Sequence, residues 1–101
     1  MSHTTAWTVP HDHPAFAGHF PDTPILPGVV LLDVALQAIC TASAIALRNC
    51  TLNSVKFLSP AQPGDVLSIT HDQQENGSIH FDISTLTHKI ATGSIVVNLH
   101  P

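Results

Sequence analysis

The sequence predicts an α+β fold in which an antiparallel β-sheet wraps around one long, apolar central helix. The chain has 101 residues, which is enough for a single small domain spanning residues 1–101. Hydrophobic residues make up 44% of the chain and charged residues only 10%, which excludes a disordered or polyelectrolyte protein. One continuous apolar stretch is followed by several β-prone segments that turn signals separate.

The N-terminal part predicts a short strand and then an ordered loop. Residues 4–9 are β-prone, and Pro10 ends them. Residues 11–28 contain several prolines, which exclude a regular helix or a central strand there. Apolar side chains within this segment indicate that it packs onto the protein.

Residues 29–47 are apolar on every side and predict the central helix, closed by Arg48 and Asn49. Such a helix either spans a membrane or is enclosed by protein. Asp33 and Gln37 within it disfavour a membrane span. We expect the sheet to cover the helix on most sides. The remaining side then needs a second chain, in a homodimer or a higher homo-oligomer.

The rest of the chain predicts a four-stranded antiparallel meander. The predicted strands cover residues 51–58, 66–72, 78–87 and 88–99. Residues 59–65 are rich in turn-forming residues, and Asn76-Gly77 is a strong hairpin signal. Histidines on these strands and at the chain end are expected to be exposed: His71, His80, His88 and His100.

Charge and cysteine content exclude further classes of protein. Three cationic residues and a formal net charge of −4 argue against nucleic-acid binding, which needs a basic surface. Cys40 and Cys50 show no disulfide framework, so we expect reduced thiols in the cytoplasm. The first ten residues lack the basic start and apolar run of a secretory signal, and none is expected.

Three residues around the start of the helix form a candidate catalytic site. Histidine side chains ordinarily titrate near neutral pH, and His19 lies in the proline-rich loop. Gly28 lies where backbone N–H groups at a helix start favour negative charge. A carboxyl inside an apolar helix, such as that of Asp33, loses hydration and favours its protonated form. Each residue alone more often has a structural role. Together they suit proton abstraction beside a thioester carbonyl, followed by loss of a β-hydroxyl.

The spacing of these residues resembles that of 3-hydroxyacyl-[acyl-carrier-protein] dehydratases of the FabZ/FabA type, which have the hotdog fold. The first matching motif is Gly18-His19-Phe20-Pro21, Pro24, Pro27-Gly28-Val29, Asp33 and Gln37. The second is Lys56-Phe57, Pro60 and Pro63-Gly64-Asp65. The similarity covers roughly residues 11–67. The segments around residues 11–14 and 25–33 look most like small ApeI-like dehydratases of aryl polyene biosynthesis.

The resemblance implies a lyase that needs no cofactor or metal and forms a trans-2-enoyl thioester in fatty acid or polyene-type biosynthesis. His19 would be the base that takes the C2 proton, and Asp33 would assist departure of the hydroxyl as water. The backbone N–H of Gly28 would hold the thioester oxygen. The expected substrate-binding residues are Gly28, Val29, Gln37 and Phe20. In relatives, the histidine and the acid of one site come from different subunits of a homodimer.

Several points stay open at the level of sequence. Asp33 stands where glutamate is more common in this family, and acidic acyl carrier protein would find few cations here. Carrier-bound and CoA-bound substrates are therefore both possible. The alternatives are a hotdog thioesterase, in which Asp33 activates water, and a non-catalytic partner subunit of a catalytic homologue. The adjacent His11, Asp12 and His13 cannot all face one ion, so no metal site is expected there.

Overall fold

The computed structural model describes residues 2–12 and 25–98. Within them, one long helix packs against a five-stranded antiparallel sheet, which confirms the predicted α+β class. Helix α1 is Gly28–Ser43, and a short 3-10 helix covers Leu47–Asn49. The strands are β1 Ser2–Thr8, β2 Cys50–Phe57, β3 Val66–Gln73, β4 Ile79–Ser84 and β5 Lys89–Val97.

Helix α1 ends at Ser43, so the predicted end at Leu47 was wrong. Ala44 adopts a left-handed backbone with φ of 56°, and its N–H donates back into the last turn. The N–H of Ile45 donates to the carbonyl of Cys40 at 3.0 Å. Helices commonly end in this way with glycine at the left-handed position. An alanine there carries no such signal in the sequence. Across the described residues, no helix is long and apolar enough to cross a bilayer.

The sheet order is β1-β3-β4-β5-β2, so the prediction of a four-stranded meander was wrong for β2. Strand β2 pairs with β5 and lies at one edge, while β3, β4 and β5 follow one another as predicted. The hairpin at Asn76-Gly77 is confirmed, with Gly77 at φ of 87°. After β2, the N–H of Leu58 donates to the carbonyl of Ile90 at 2.8 Å. Residues 58–65, which we call the connector, then cross to the start of β3, and β3 does not pair with β2.

The core lies between α1 and one face of the sheet. Alternate residues of β4 are buried, as predicted, and so are Leu31, Ala35 and Ile39 of the helix. On the helix face away from the core, Val29, Asp33 and Gln37 recur every fourth residue and are exposed. We call these three residues the outer stripe of α1. The residues between them are buried or partly buried against the core, so the sheet covers most sides of the helix, as predicted, and leaves the outer stripe uncovered.

His71 on β3 is buried, with 4% of its surface exposed, although the sequence predicted an exposed side chain. It lies on the core face of its strand, where its ring stacks on that of its cross-strand neighbour His3 with centroids 5.4 Å apart. Its Nδ1 is buried without a hydrogen-bond partner among the described residues. Burial lowers the pKa of His71, the nearby His3 lowers it further, and Asp72 opposes the shift. The ring is therefore held neutral in the folded protein.

The free energy of unfolding is expected to fall as the pH drops below about 6.5. There the unfolded chain binds a proton at His71 that the folded chain takes up only at lower pH. This contribution has a slope no steeper than about 1.4 kcal/mol per pH unit. Urea denaturation at pH 7.5 and 5.5 measures it, with His71→Gln compared with the exposed His80→Gln. Equal pH dependence in wild type and His71→Gln would contradict the assignment.

Candidate active site

The two sequence motifs meet at the start of α1. The N–H of Leu26 donates to the carbonyl of Ala61 at 2.8 Å, which ties the segment before the helix to the connector after β2. Beside this contact lies a cavity of about 440 Å³. Its walls include Leu26, Gly28 and Leu31 from the helix side, and Phe57, Leu58 and Ala61 from the connector side. The cavity is thus largely apolar and reaches the first residue of the helix.

The connector is held by a second set of backbone hydrogen bonds. The N–H of Val9 donates to the carbonyl of Asp65, and the N–H of Gly64 donates to the carbonyl of Val9, each at 2.8 Å. The carboxylate of Asp65 accepts from the N–H of Gln62 at 2.9 Å. Gly64 has φ of 86°, and a Cβ there would lie 2.8 Å from the ring of His11. The second motif therefore forms a rigid turn that supports the cavity wall.

The first backbone N–H groups of α1 lie at the cavity. The helical hydrogen bonds begin at Val30 and Leu31, both of which donate to the carbonyl of Pro27 at 3.1 Å. No side chain of the described residues caps the helix start. The N–H groups of Gly28 and Val29 therefore precede the first helical bonds, at the positive end of the helix dipole. This end of α1 is suited to an oxygen that gains negative charge.

Phe57 is the residue that the sequence reasoning left without a role. Its ring lies directly against Gly28, where an added Cβ would be 2.7 Å from the ring's Cζ atom. The side chain is 49% exposed, so it forms both a wall and part of the rim of the cavity. The close contact with Phe57 therefore requires glycine at position 28. Its backbone is ordinary helix, so conformational freedom is not the reason. The place of Phe57 in the Lys56-Phe57 pair of the second motif was the one feature of the sequence that pointed to this residue.

Asp33 and Gln37 contact each other as the spacing predicted. The Nε2 atom of Gln37 donates to Oδ2 of Asp33 at 3.1 Å. Both side chains are exposed, because the outer stripe faces away from the sheet. The expectation that the apolar helix alone removes water from Asp33 was therefore wrong within one chain. Among residues 2–12 and 25–98 no element covers the outer stripe, and a second chain packed against it would bury this carboxyl.

The predicted site is described only in part. His19 and Phe20 lie outside the described residues. Gly28 and Val29 occupy the first turn of α1, and Val29, with 75% of its surface exposed, begins the outer stripe that Asp33 continues. Within residues 2–12 and 25–98, no group of three or more His, Cys, Asp or Glu side chains is arranged to hold a metal.

A family model described as "ApeI-like: ApeI dehydratase" matches residues 1–94. The chain belongs to the ApeI-like dehydratase family. The 3-hydroxyacyl-[acyl-carrier-protein] dehydratase FabZ of Ehrlichia chaffeensis is 40% identical over 72 residues, covering 66% of this chain and 50% of that protein. The chain therefore spans about half the length of this curated relative. These matches confirm the resemblance to FabZ and ApeI-like dehydratases.

Solved structures show that this ApeI-like chain has the hotdog fold. The dehydratase heterocomplex ApeI:P from Xenorhabdus doucetiae matches with a TM-score of 0.77 at 24% identity, covering 96% of this chain and 87% of that one. A 1,4-dihydroxy-2-naphthoyl-CoA thioesterase from Synechocystis matches with a TM-score of 0.66 at 16% identity, covering 94% and 79%. The fold is thus shared by proteins of different chemistry, and it does not select the reaction by itself.

Proposed function

We propose that this ApeI-like chain dehydrates a 3-hydroxyacyl thioester to the trans-2-enoyl thioester, in fatty acid or polyene-type biosynthesis. The observation that carries the proposal is the apolar cavity that ends at the uncapped N-terminus of α1. An acyl chain fits such a cavity, and a thioester oxygen fits the N–H groups that precede the first helical bonds. The membership of the dehydratase family agrees with this reaction.

The residues divide the reaction between them. His19 removes the proton from C2 of the substrate, and the electron pair moves toward the thioester carbonyl. The N–H of Gly28 and the helix dipole stabilise the oxygen as it becomes enolate-like. The enolate then expels the hydroxyl from C3, and Asp33 donates the proton that makes it water. Gln37 holds the carboxyl of Asp33 in position through their 3.1 Å contact.

The site is completed by a second copy of the chain. A group that donates a proton to the leaving hydroxyl acts best in a site closed to water, and the described part of its own chain leaves Asp33 exposed. Strand β2 lies at an edge of the sheet and has one side without a paired strand among the described elements. The outer stripe and the β2 edge thus offer surfaces for a homodimer that pairs His19 of one protomer with Asp33 of the other.

A second candidate function is that of a partner subunit. The solved neighbour from Xenorhabdus doucetiae is described as the dehydratase heterocomplex ApeI:P. Pairing of this chain with a different hotdog protein would cover the same outer stripe. The presence of His19 and Asp33 at the family's catalytic spacing favours a chain that contributes to catalysis in such a pair.

The proposal is tested with the purified chain and a panel of 3-hydroxyacyl thioesters on acyl carrier protein and on CoA. Mass spectrometry detects the enoyl product, a colorimetric reagent detects free thiol, and light scattering gives the oligomeric state. Enoyl product without free thiol supports the dehydratase. Thiol release without enoyl product would indicate a thioesterase. A well-folded homo-oligomer without any turnover would indicate the partner subunit.

Gly28→Ala is expected to lower kcat/KM at least about tenfold, because the new methyl displaces the ring of Phe57 and shifts the N–H groups at the cavity. The ring is half-exposed and can swing outward, so the fold should persist. Adding Phe57→Leu removes the overlapping ring atoms and should restore part of the rate. Steady-state assays and thermal melting separate the two effects. Unchanged turnover in Gly28→Ala would show that the Gly28–Phe57 contact has no catalytic importance.

A further inference from the structure

The two cysteines lie side by side at the end of α1 opposite Gly28. Cys40 lies in the last turn of the helix, and Cys50 is the first residue of β2. Their Sγ atoms are 2.9 Å apart, and both are free thiols. Neither residue lines the cavity beside Gly28, so the proposed dehydration does not account for the pair.

The backbone between the two cysteines is held by hydrogen bonds. The N–H of Ile45 donates to the carbonyl of Cys40 at 3.0 Å, and the N–H of Asn49 donates to the carbonyl of Ala46 at 2.9 Å. The thiol of Cys50 also lies 3.8 Å from the carbonyl oxygen of Ala46. These hydrogen bonds fix the backbone between the two cysteines. The two sulfur atoms therefore lie together without a rearrangement of the segment. Such preorganisation favours a reaction between them.

The two thiols differ in their surroundings. Cys40 is buried, with 5% of its surface exposed, whereas Cys50 is half-buried. Burial and the adjacent Cys50 raise the pKa of Cys40 to about 12. Cys40 is therefore protonated at neutral pH and reacts slowly with outside reagents. Cys50 is the thiol that a small reagent reaches first.

We propose that Cys40 and Cys50 form a disulfide-forming site that reacts with a low-molecular-weight disulfide such as oxidised glutathione. The Cys50 thiol loses its proton to solvent, and its sulfur attacks one sulfur of the reagent. The reagent's disulfide bond breaks, and one glutathione thiolate leaves. Cys40 then transfers its proton to a glutathione thiolate and attacks the Cys50 sulfur, which releases the second glutathione. The protein loses two hydrogen atoms, and one glutathione disulfide is reduced to two thiols.

The disulfide would connect α1 covalently to the edge strand β2. It would close the segment 40–50 into a loop and restrict the unfolded chain. The reduced and oxidised proteins therefore differ in stability. This inference does not depend on the proposed dehydratase activity, since its readouts are mass and melting temperature.

The test treats the whole purified chain with oxidised glutathione, alkylates the remaining thiols with iodoacetamide, and measures intact mass. The wild type should lose two hydrogens and take no alkyl group, and peptide mapping should show the Cys40–Cys50 link. Its melting temperature should rise by roughly 10–20 °C, and the rise should vanish on reduction.

Two single variants serve as controls. Cys40→Ala should retain glutathione on Cys50 as a stable mixed disulfide, because no second thiol is present to release it. Cys50→Ala should take up little glutathione, and neither variant should gain melting temperature. The proposal is overturned if the wild type keeps a mixed disulfide, if both cysteines are still alkylated, or if non-reducing gels show a link between two chains.

Discussion

Replacing His19 by alanine is expected to lower kcat/KM for a 3-hydroxyacyl thioester by about 10²–10⁴-fold, the range typical for loss of a general base. Removal of the C2 proton starts the proposed reaction, and no other group has that role in it. The acidic limb of the pH–rate profile should disappear in the variant, because that limb reports protonation of the base. Steady-state rates of enoyl formation between pH 5.5 and 8.5 measure both effects.

The matched control is His80→Ala. His80 is exposed on β4, on the face of the sheet opposite α1, and lies 3.3 Å from Asp82. The substitution removes a histidine side chain that does not line the cavity, so near-normal turnover is expected. A His19→Ala variant that dehydrates as fast as His80→Ala would remove His19 from its role.

Asp33→Asn is expected to lower the rate by a similar factor, about 10²–10⁴-fold, because the amide cannot donate the proton that converts the hydroxyl to water. The substitution keeps the size of the side chain. Because this side chain lies at the surface that the proposed dimer covers, the free energy of unfolding of the dimer should change by no more than about 1 kcal/mol. Rate assays and urea denaturation, made on the same preparation, give the two numbers.

Gln37→Ala is the companion variant for Asp33→Asn. It removes the donor to Oδ2 of Asp33 and leaves the acid in place, so the rate should fall less, by roughly tenfold. A loss in Gln37→Ala as large as that in Asp33→Asn would contradict this division of roles.

Mixing the two inactive variants tests whether one site takes residues from two chains. In a mixed dimer of His19→Ala and Asp33→Asn, one site loses both groups and the other keeps both. Random exchange makes half of the dimers mixed, so about a quarter of the wild-type rate should return. No recovery after exchange of subunits would show that His19 and Asp33 of one chain act together.

The sequence allowed prediction of the elements better than of their arrangement. Alternation identified β4, and the Asn76-Gly77 turn identified the hairpin, because both signals are local. The pairing of β2 with β5 is set by the path of the connector, which depends on hydrogen bonds to Ile90, Ala61 and Val9. Such distant partners leave no periodic pattern, so the meander was the wrong choice.

Within the candidate site, the sequence predicted that Gly28 lies at the helix start and that Asp33 and Gln37 share one helix face, since both follow from helix geometry. The exposure of Asp33 did not follow, because an apolar helix does not reveal which of its faces the sheet will cover. The contact of Phe57 with Gly28 joins residues far apart in the chain. The motif that contains Phe57 indicated that residues 56–65 follow the family pattern, but it did not predict this contact.

The pairing of β2 with β5 has a consequence for biosynthesis of the protein. Phe57 lies opposite Ala91, and Cys50 lies opposite Val97, near the end of the described chain. A nascent chain on the ribosome would complete β2 long before its neighbour is translated. During that interval the strand's polar backbone has no partner and is open to pairing with other chains. Release of β5 from the exit tunnel is thus the step that permits the sheet to close, and truncations that remove β5 should aggregate.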